Sequence, residues 1–256
     1  MYSENVIEAI LIIMTVLSIL LYVFATISSN RKYKKWPTYR TVFWILGVLF
    51  VASSIIGPIA DRAHHDFIAH MTGHLLLGML APFLLVMAAP MTLVLRTLKV
   101  QYARILSSIL KSQWIRFFSD PIIASILNVG GLWLLYTTEL YSSLHGNIFL
   151  HIFVHFHVFL AGYMFTASII YIDPTPHKRS IGYRSVTLVL ALACHGILSK
   201  YIYAYPPYGV SSNHAEVGGL LMYYGGDIID GLLIFTLCLQ WYKSQQPRAI
   251  HSIKIN

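Results

Sequence analysis

Charge is scarce in this chain. Only 11% of its 256 residues are Asp, Glu, Lys or Arg, where a soluble domain carries about a quarter. A globule built from such a sequence lacks the polar residues to cover its surface. Cysteine is nearly missing as well, since the only two, Cys194 and Cys238, lie inside apolar stretches. They exclude a disulfide framework and a zinc site of paired-cysteine spacing. Acidic residues number 10 against 18 basic ones, yet the positive excess does not point to nucleic acid. The basic residues sit in short segments between apolar runs, where membrane topology accounts for them. The first eight residues carry Glu4 and Glu8 and nothing basic, so no cleavable signal is expected. Repeats, low-complexity tracts and the motifs Gly-x-Ser-x-Gly, His-Glu-x-x-His, Cys-x-x-Cys and the P-loop are also missing. Conventional enzyme chemistry is therefore not expected.

What the chain does have is apolar length. Hydrophobic residues make up 57% of it, and the mean hydropathy is +0.65. They gather in seven runs, 6–27, 41–60, 67–95, 121–138, 148–172, 184–203 and 217–242. A helix needs about 20 residues to cross a ~30 Å hydrocarbon layer. The expectation is an all-α membrane protein, one integral domain over 1–256 holding a bundle of seven transmembrane helices. The third run contains Pro82 and Pro90, which predict a kink or an end near Pro90. Between 97 and 118, Leu98, Tyr102, Ile105, Leu106 and Ile109 recur at helical spacing, with Lys99, Arg104, Lys111 and Arg116 elsewhere. That pattern predicts one amphipathic helix on the cytoplasmic membrane surface.

Loop charge orients the bundle. Arg31, Lys32, Lys34, Lys35 and Arg40 fill the first loop, and Arg96, Lys99, Arg104, Lys111 and Arg116 the third. Lys178 and Arg179 occupy the fifth, and Lys243, Arg248 and Lys254 the tail. The alternate loops hold almost none. The positive-inside rule then puts the N-terminus outside and the C-terminus in the cytoplasm.

With that topology the histidines fall on one side. His64, His65, His145 and His214 belong to outer loops, and His70 and His74 open the third run from outside. His151, His155 and His157 do the same in the fifth, and His195 lies slightly outward of mid-membrane in the sixth. Only His177 and His251 are cytoplasmic. His70 and His74 stand at i and i+4, as do His151 and His155, a spacing that presents two imidazoles about 6 Å apart to one ion. Neutral imidazole is a good ligand for copper, zinc or iron. Asp227 and Asp230, at i and i+3 in the last run, fit a carboxylate ligand, a group orienting a histidine, or a counter-charge. Each has a plainer reading beside it. His64, His65, His145 and His214 are individually best read as solvated loop residues. His195 is balanced between an interhelical hydrogen bond and metal binding. Met71 is read as packing.

The string His70-Met71-Thr72-Gly73-His74-Leu75-Leu76-Leu77, with Ala81-Pro82 and Ala89-Pro90, resembles the signature of the CtaG family of cytochrome c oxidase assembly factors. The likeness continues through His151, His155, Gly162 and Phe165 ahead of Asp173-Pro174, and through Gly218-Gly219-Leu220-Leu221-Met222 to Gly225-Gly226-Asp227. It departs at Ala215-Glu216, where the family pattern has Asp-Gln. The resemblance implies an accessory role in maturing the oxidase, by handling copper outside the cytoplasm of a bacterial cell. On that reading His70, His74, His151, His155 and Asp227 hold the ion. His64, His65, His157 and His214 form a weaker outer shell that passes it to an oxidase subunit, and His195, Asp230 and Met71 are candidate secondary or supporting residues of the metal site. Two other readings stay open: a haem-binding membrane redox or haem-handling protein, using the same histidines, and an ion- or proton-coupled transporter, using Asp227 and Asp230.

Overall fold

The computed structural model describes residues 2–144 and 146–246, with side chains from Val6 onward. His145, Arg248, His251 and Lys254 lie outside the described residues. Among those described, every regular element is helical and no strand forms. A helix satisfies its own backbone polar groups, which is what a chain this apolar requires in a bilayer.

Helix α1 (Tyr2–Lys32) closes on Arg31 and Lys32, cations that complement the negative end of the helix dipole. It packs against α2 (Thr38–Ile55) through Tyr22, whose ring stacks on Trp44 with centroids 4.7 Å apart. The second run ends at Ile55 rather than residue 60, because Gly57 adopts a left-handed φ of 83°. The short α3 (Pro58–Ala63) follows.

The third run becomes the centre of the bundle. Asp66 caps α4 (Phe67–Leu75) by accepting from the Ile68 amide at 2.9 Å. The helix then widens into a π turn, Leu76–Leu80, and continues as α5 (Ala81–Met87). Pro82 supplies the reason, since its ring nitrogen cannot donate to the preceding turn. Membrane-length helix stops at Met87. Ala89 takes a left-handed φ of 55°, and Pro90 starts α6 (Pro90–Thr97) at a first-turn position where its missing N–H leaves no gap. The expected 67–95 span is therefore two helices joined by a turn. Asp173 fastens that turn, accepting from the amides of Met91 and Thr92 and from the Thr92 hydroxyl.

The single amphipathic helix expected over 97–118 is also two, α7 (Val100–Leu110) and α8 (Gln113–Phe118). Ser112 breaks it by capping the Ile115 amide at 3.3 Å. Next come α9 (Pro121–Ser125), a second π turn at Ile126–Gly130, and α10 (Gly131–Thr137), which together form one apolar helix, Pro121–Thr137. The last four are α11 (Leu140–Ser143), α12 (Ile148–Ile169), α13 (Ile181–Ala204) and α14 (Ser212–Gln245). Six helices are long and apolar enough to cross a membrane, and Pro121–Thr137 is shorter. The fifth run ends at Ile169, ahead of Asp173-Pro174.

Glycine lets these helices meet backbone to backbone. A Cβ on Gly162 of α12 would land on the Gly78 carbonyl of the π turn. On α14, Gly218 and Gly225 leave space taken by Phe67 and Leu75 of α4, while Gly219 and Gly226 admit Ser199 and His195 of α13. Two glycine pairs seven residues apart thus seat two neighbours at once, the small-residue packing typical of membrane bundles.

The basic loops meet one another. Arg96 donates to the Lys34 carbonyl at 2.7 Å and lies over the rings of Tyr33 and Trp36. Arg40 covers Trp36 as well. Arg179 pairs with Asp120, joining the third and fifth loops. The histidine-bearing segments meet separately, with His214 Nδ1 at 3.7 Å from Asp66 Oδ1.

Candidate functional site

The site begins at a cavity of about 420 Å³ that opens between α3, α11 and the start of α14. His64, His65 and His214 line it, with Phe67 and Tyr141 at its floor. From this mouth a series of imidazoles leads inward. His64 stacks on His151 with centroids 5.1 Å apart, and His151 stacks on His155 at 4.1 Å. The four-residue spacing on α12 puts the second pair one above the other. His155 Nδ1 donates to the His151 carbonyl at 2.9 Å, which leaves the lone pair on Nε2.

The next ring is His70, 6.5 Å from His155 and perpendicular to it. His70 Nε2 pairs with the Tyr136 hydroxyl at 3.1 Å. His70, His74 and His155 share a cavity of about 30 Å³, and His74, His195 and Asp230 share a second of about 20 Å³. Each is large enough for a single water or ion. His74 belongs to both and stands 6.4 Å from His195. Both rings are buried, and among the described residues neither Nε2 has a hydrogen-bond partner. An orphaned buried nitrogen is costly unless something occupies the space beside it.

The structure divides the candidate residues. It brings His64, His151, His155, His70, His74 and His195 into one succession drawn from the C-terminal cap of α3 and from α12, α4 and α13. On α14 it turns Asp230 toward the inner cavity and leaves Asp227 exposed. His157 points elsewhere, donating from Nε2 to the Leu127 carbonyl at 3.1 Å. That carbonyl sits in the second π turn, and Gly131 makes room for the ring. Met71 is fully buried among Phe67, Leu132, Leu198 and Met222, as packing. Among the described residues, no three His, Cys, Asp or Glu side chains gather closely enough to form a ready metal group. The rings are neighbours in a line rather than ligands around a point.

Two lining residues escaped the sequence reading: Tyr136, which pairs with His70, and Asn128, which lines the inner cavity. Asn128 had a legible signal, as the only amide in an otherwise apolar helix. Tyr136 had none, being an ordinary member of an apolar run.

Residues 20–244 match a family described as cytochrome c oxidase caa3 assembly factor. The chain is also similar to an uncharacterized protein of Mycobacterium leprae, 31% identical over 164 residues, which is 61% of this chain and 25% of that protein. Uncharacterized proteins of Mycobacterium bovis and Mycobacterium tuberculosis are each 31% identical over 156 residues, 58% of this chain and 24% of theirs. The chain thus spans about a quarter of the length of the curated relatives it matches. No solved structure matches it.

Proposed function

The chain belongs to the cytochrome c oxidase caa3 assembly factors, and from that premise we propose that it carries copper to an oxidase subunit on the non-cytoplasmic side of a bacterial cell membrane. It acts as a carrier and not as a catalyst. The observation behind this reading is the succession of imidazoles from the open His64, His65 and His214 cavity to the two buried cavities at His70, His74, His155 and His195. Imidazole suits copper, and a line of adjacent nitrogens offers successive holds of moderate strength. Transfer needs that moderation, because an ion caged by a rigid full ligand set leaves slowly. His70, His74, His151 and His155 are the holding residues. Asp230 contributes the nearest buried carboxylate, and Asp227 serves as an exposed counter-charge.

The topology belongs to the same proposal. The basic loops that touch one another form the cytoplasmic end, and Pro121–Thr137 makes the seventh crossing, so the N-terminus lies outside. A haem reading loses support, because cavities of about 20 and 30 Å³ beside these histidines cannot admit a macrocycle.

Copper bound by the purified chain, followed by X-ray absorption, tests the proposal together with oxidase copper content in cells. The expected signature is nitrogen coordination that weakens in His74→Leu and His155→Phe, with copper-poor oxidase in both strains. Copper-replete oxidase in both strains would overturn it.

A further inference from the structure

Pro121–Thr137 and α13 diverge and leave a lateral groove of about 710 Å³, whose walls at Val129 and Ala191 also border the inner histidine cavity. Ile126, Trp133, Val186 and Leu190 line its walls, and Cys194 closes its inner end. The Trp133 indole N–H is spent on the Cys194 carbonyl at 3.2 Å, so the deep end offers no indole donor to a polar ligand. Tyr183 and Ile122, at the other end, also border a second cavity of about 430 Å³ that holds Arg116 and Arg179. The two cavities therefore adjoin, giving a groove with an apolar shaft and a cationic mouth. We propose that it binds one anionic phospholipid, with its phosphate at the arginines and an acyl chain in the shaft.

Three observations favour this occupant. The first is charge. Asp120 accepts from both Arg179 and Tyr183, but it is a single carboxylate against two guanidiniums. Arg116 is exposed and forms no ion pair among the described residues. A guanidinium fork matches phosphate oxygens well. The second is depth. Tyr183 and Cys194 are eleven residues apart on α13, about 16 Å at the helical rise. That is about half the ~30 Å hydrocarbon layer, the reach of one leaflet. A partner's transmembrane helix would call for a groove running the full thickness. The third is level. Arg116 and Phe117 of the mouth belong to α8, a short helix with Trp114 and Phe117 largely exposed, as a helix seated among headgroups presents them.

The test uses the purified full chain with phosphatidylglycerol and phosphatidylcholine of identical acyl chains. Cys194 reports occupancy of the shaft, and Cys238, a free exposed thiol on α14, serves as internal control. Phosphatidylglycerol should slow maleimide alkylation of Cys194 about five- to tenfold more than phosphatidylcholine does, leaving Cys238 alike in both. Arg116→Gln should abolish that preference. Gly130→Leu should lose the lipid retained in native mass spectra, because a Cβ there meets only Ile126 at 3.8 Å and the side chain enters the shaft. Equal protection by the two lipids overturns the proposal, as does a preference that survives Arg116→Gln. Arg116 is exposed, so that variant decides the question even where Gly130→Leu fails to fold. None of these outcomes depends on copper.

Discussion

Helix α1 and the composite helix Phe67–Met87 invert the rule learned from soluble proteins. The first is the more apolar of the two, yet only 6% of its most apolar stretch is buried in the protein, against 61% for the second. Phe24 on α1 is 72% exposed, whereas His74 on α4 is 6% exposed. In water the apolar helix would be the buried one. In a bilayer lipid already solvates Leu and Ile, so what drives a helix inward is its small, polar and imperfect positions. Phe67–Met87 carries all of these: Gly78, the π turn, His70 and His74.

The sharpest way to break that contrast is to deny the central helix its closest neighbour. Gly162→Leu drives a side chain into the Gly78 carbonyl. It should cost at least about 3 kcal/mol or abolish folding, seen as lost monodisperse protein in detergent.

Interrupting the imidazole series separates function from stability. His155→Phe keeps a ring between His151 and His70 but removes the nitrogen. Copper affinity should fall about tenfold or more, while the melting temperature moves little. A large drop in melting temperature with copper binding intact would recast these histidines as packing.

A smaller effect is expected where polar capping holds the end of the central helix. Asp173→Ala leaves the first amides of α6 without their acceptor and should lower stability by about 1–2 kcal/mol in thermal unfolding.

Acid should expose a fourth difference, at the loops. Burial pushes the Asp120 carboxyl up, but hydrogen bonds from Tyr183, Arg179 and the Ile122 amide outweigh it and hold the group below its ordinary value. A lowered carboxyl contributes stability above its unfolded value and loses that contribution as pH falls through its folded value. Unfolding followed from neutral to acid pH should therefore be steeper for the native chain than for Asp120→Asn.

On α1 the expected change is the smallest. Phe24→Ala should shift stability by no more than about 0.5 kcal/mol, and a larger loss would mean that the outer face of α1 meets a partner.

The apolar runs were legible as helices because length and composition suffice in a bilayer. Their ends were legible where Pro marks them, as at Pro90, but not at Gly57, whose left-handed φ ends the second run short of residue 60. Ser112 split the surface helix without notice, because a serine reads equally well inside an amphipathic pattern. The i and i+4 spacings exposed the histidine pairs on α4 and α12, since that periodicity is local. Asp227 and Asp230 stand three residues apart on one helix, and no periodicity states which faces a neighbour. The glycine pairs of α14 turn Asp230 inward, by fixing how α13 and α4 seat against it.

Hydropathy and spacing act over one or two turns, and they suffice to specify a membrane-helical protein most of whose histidines share one end. Tertiary packing sets the order of those histidines. It placed His64 over His151, His155 beside His70, and His74 opposite His195, and it sent His157 away to a carbonyl. Those relations join residues up to 121 positions apart in the chain. They follow from where two backbones touch, a distance that the glycine contacts of α12 and α14 help to set.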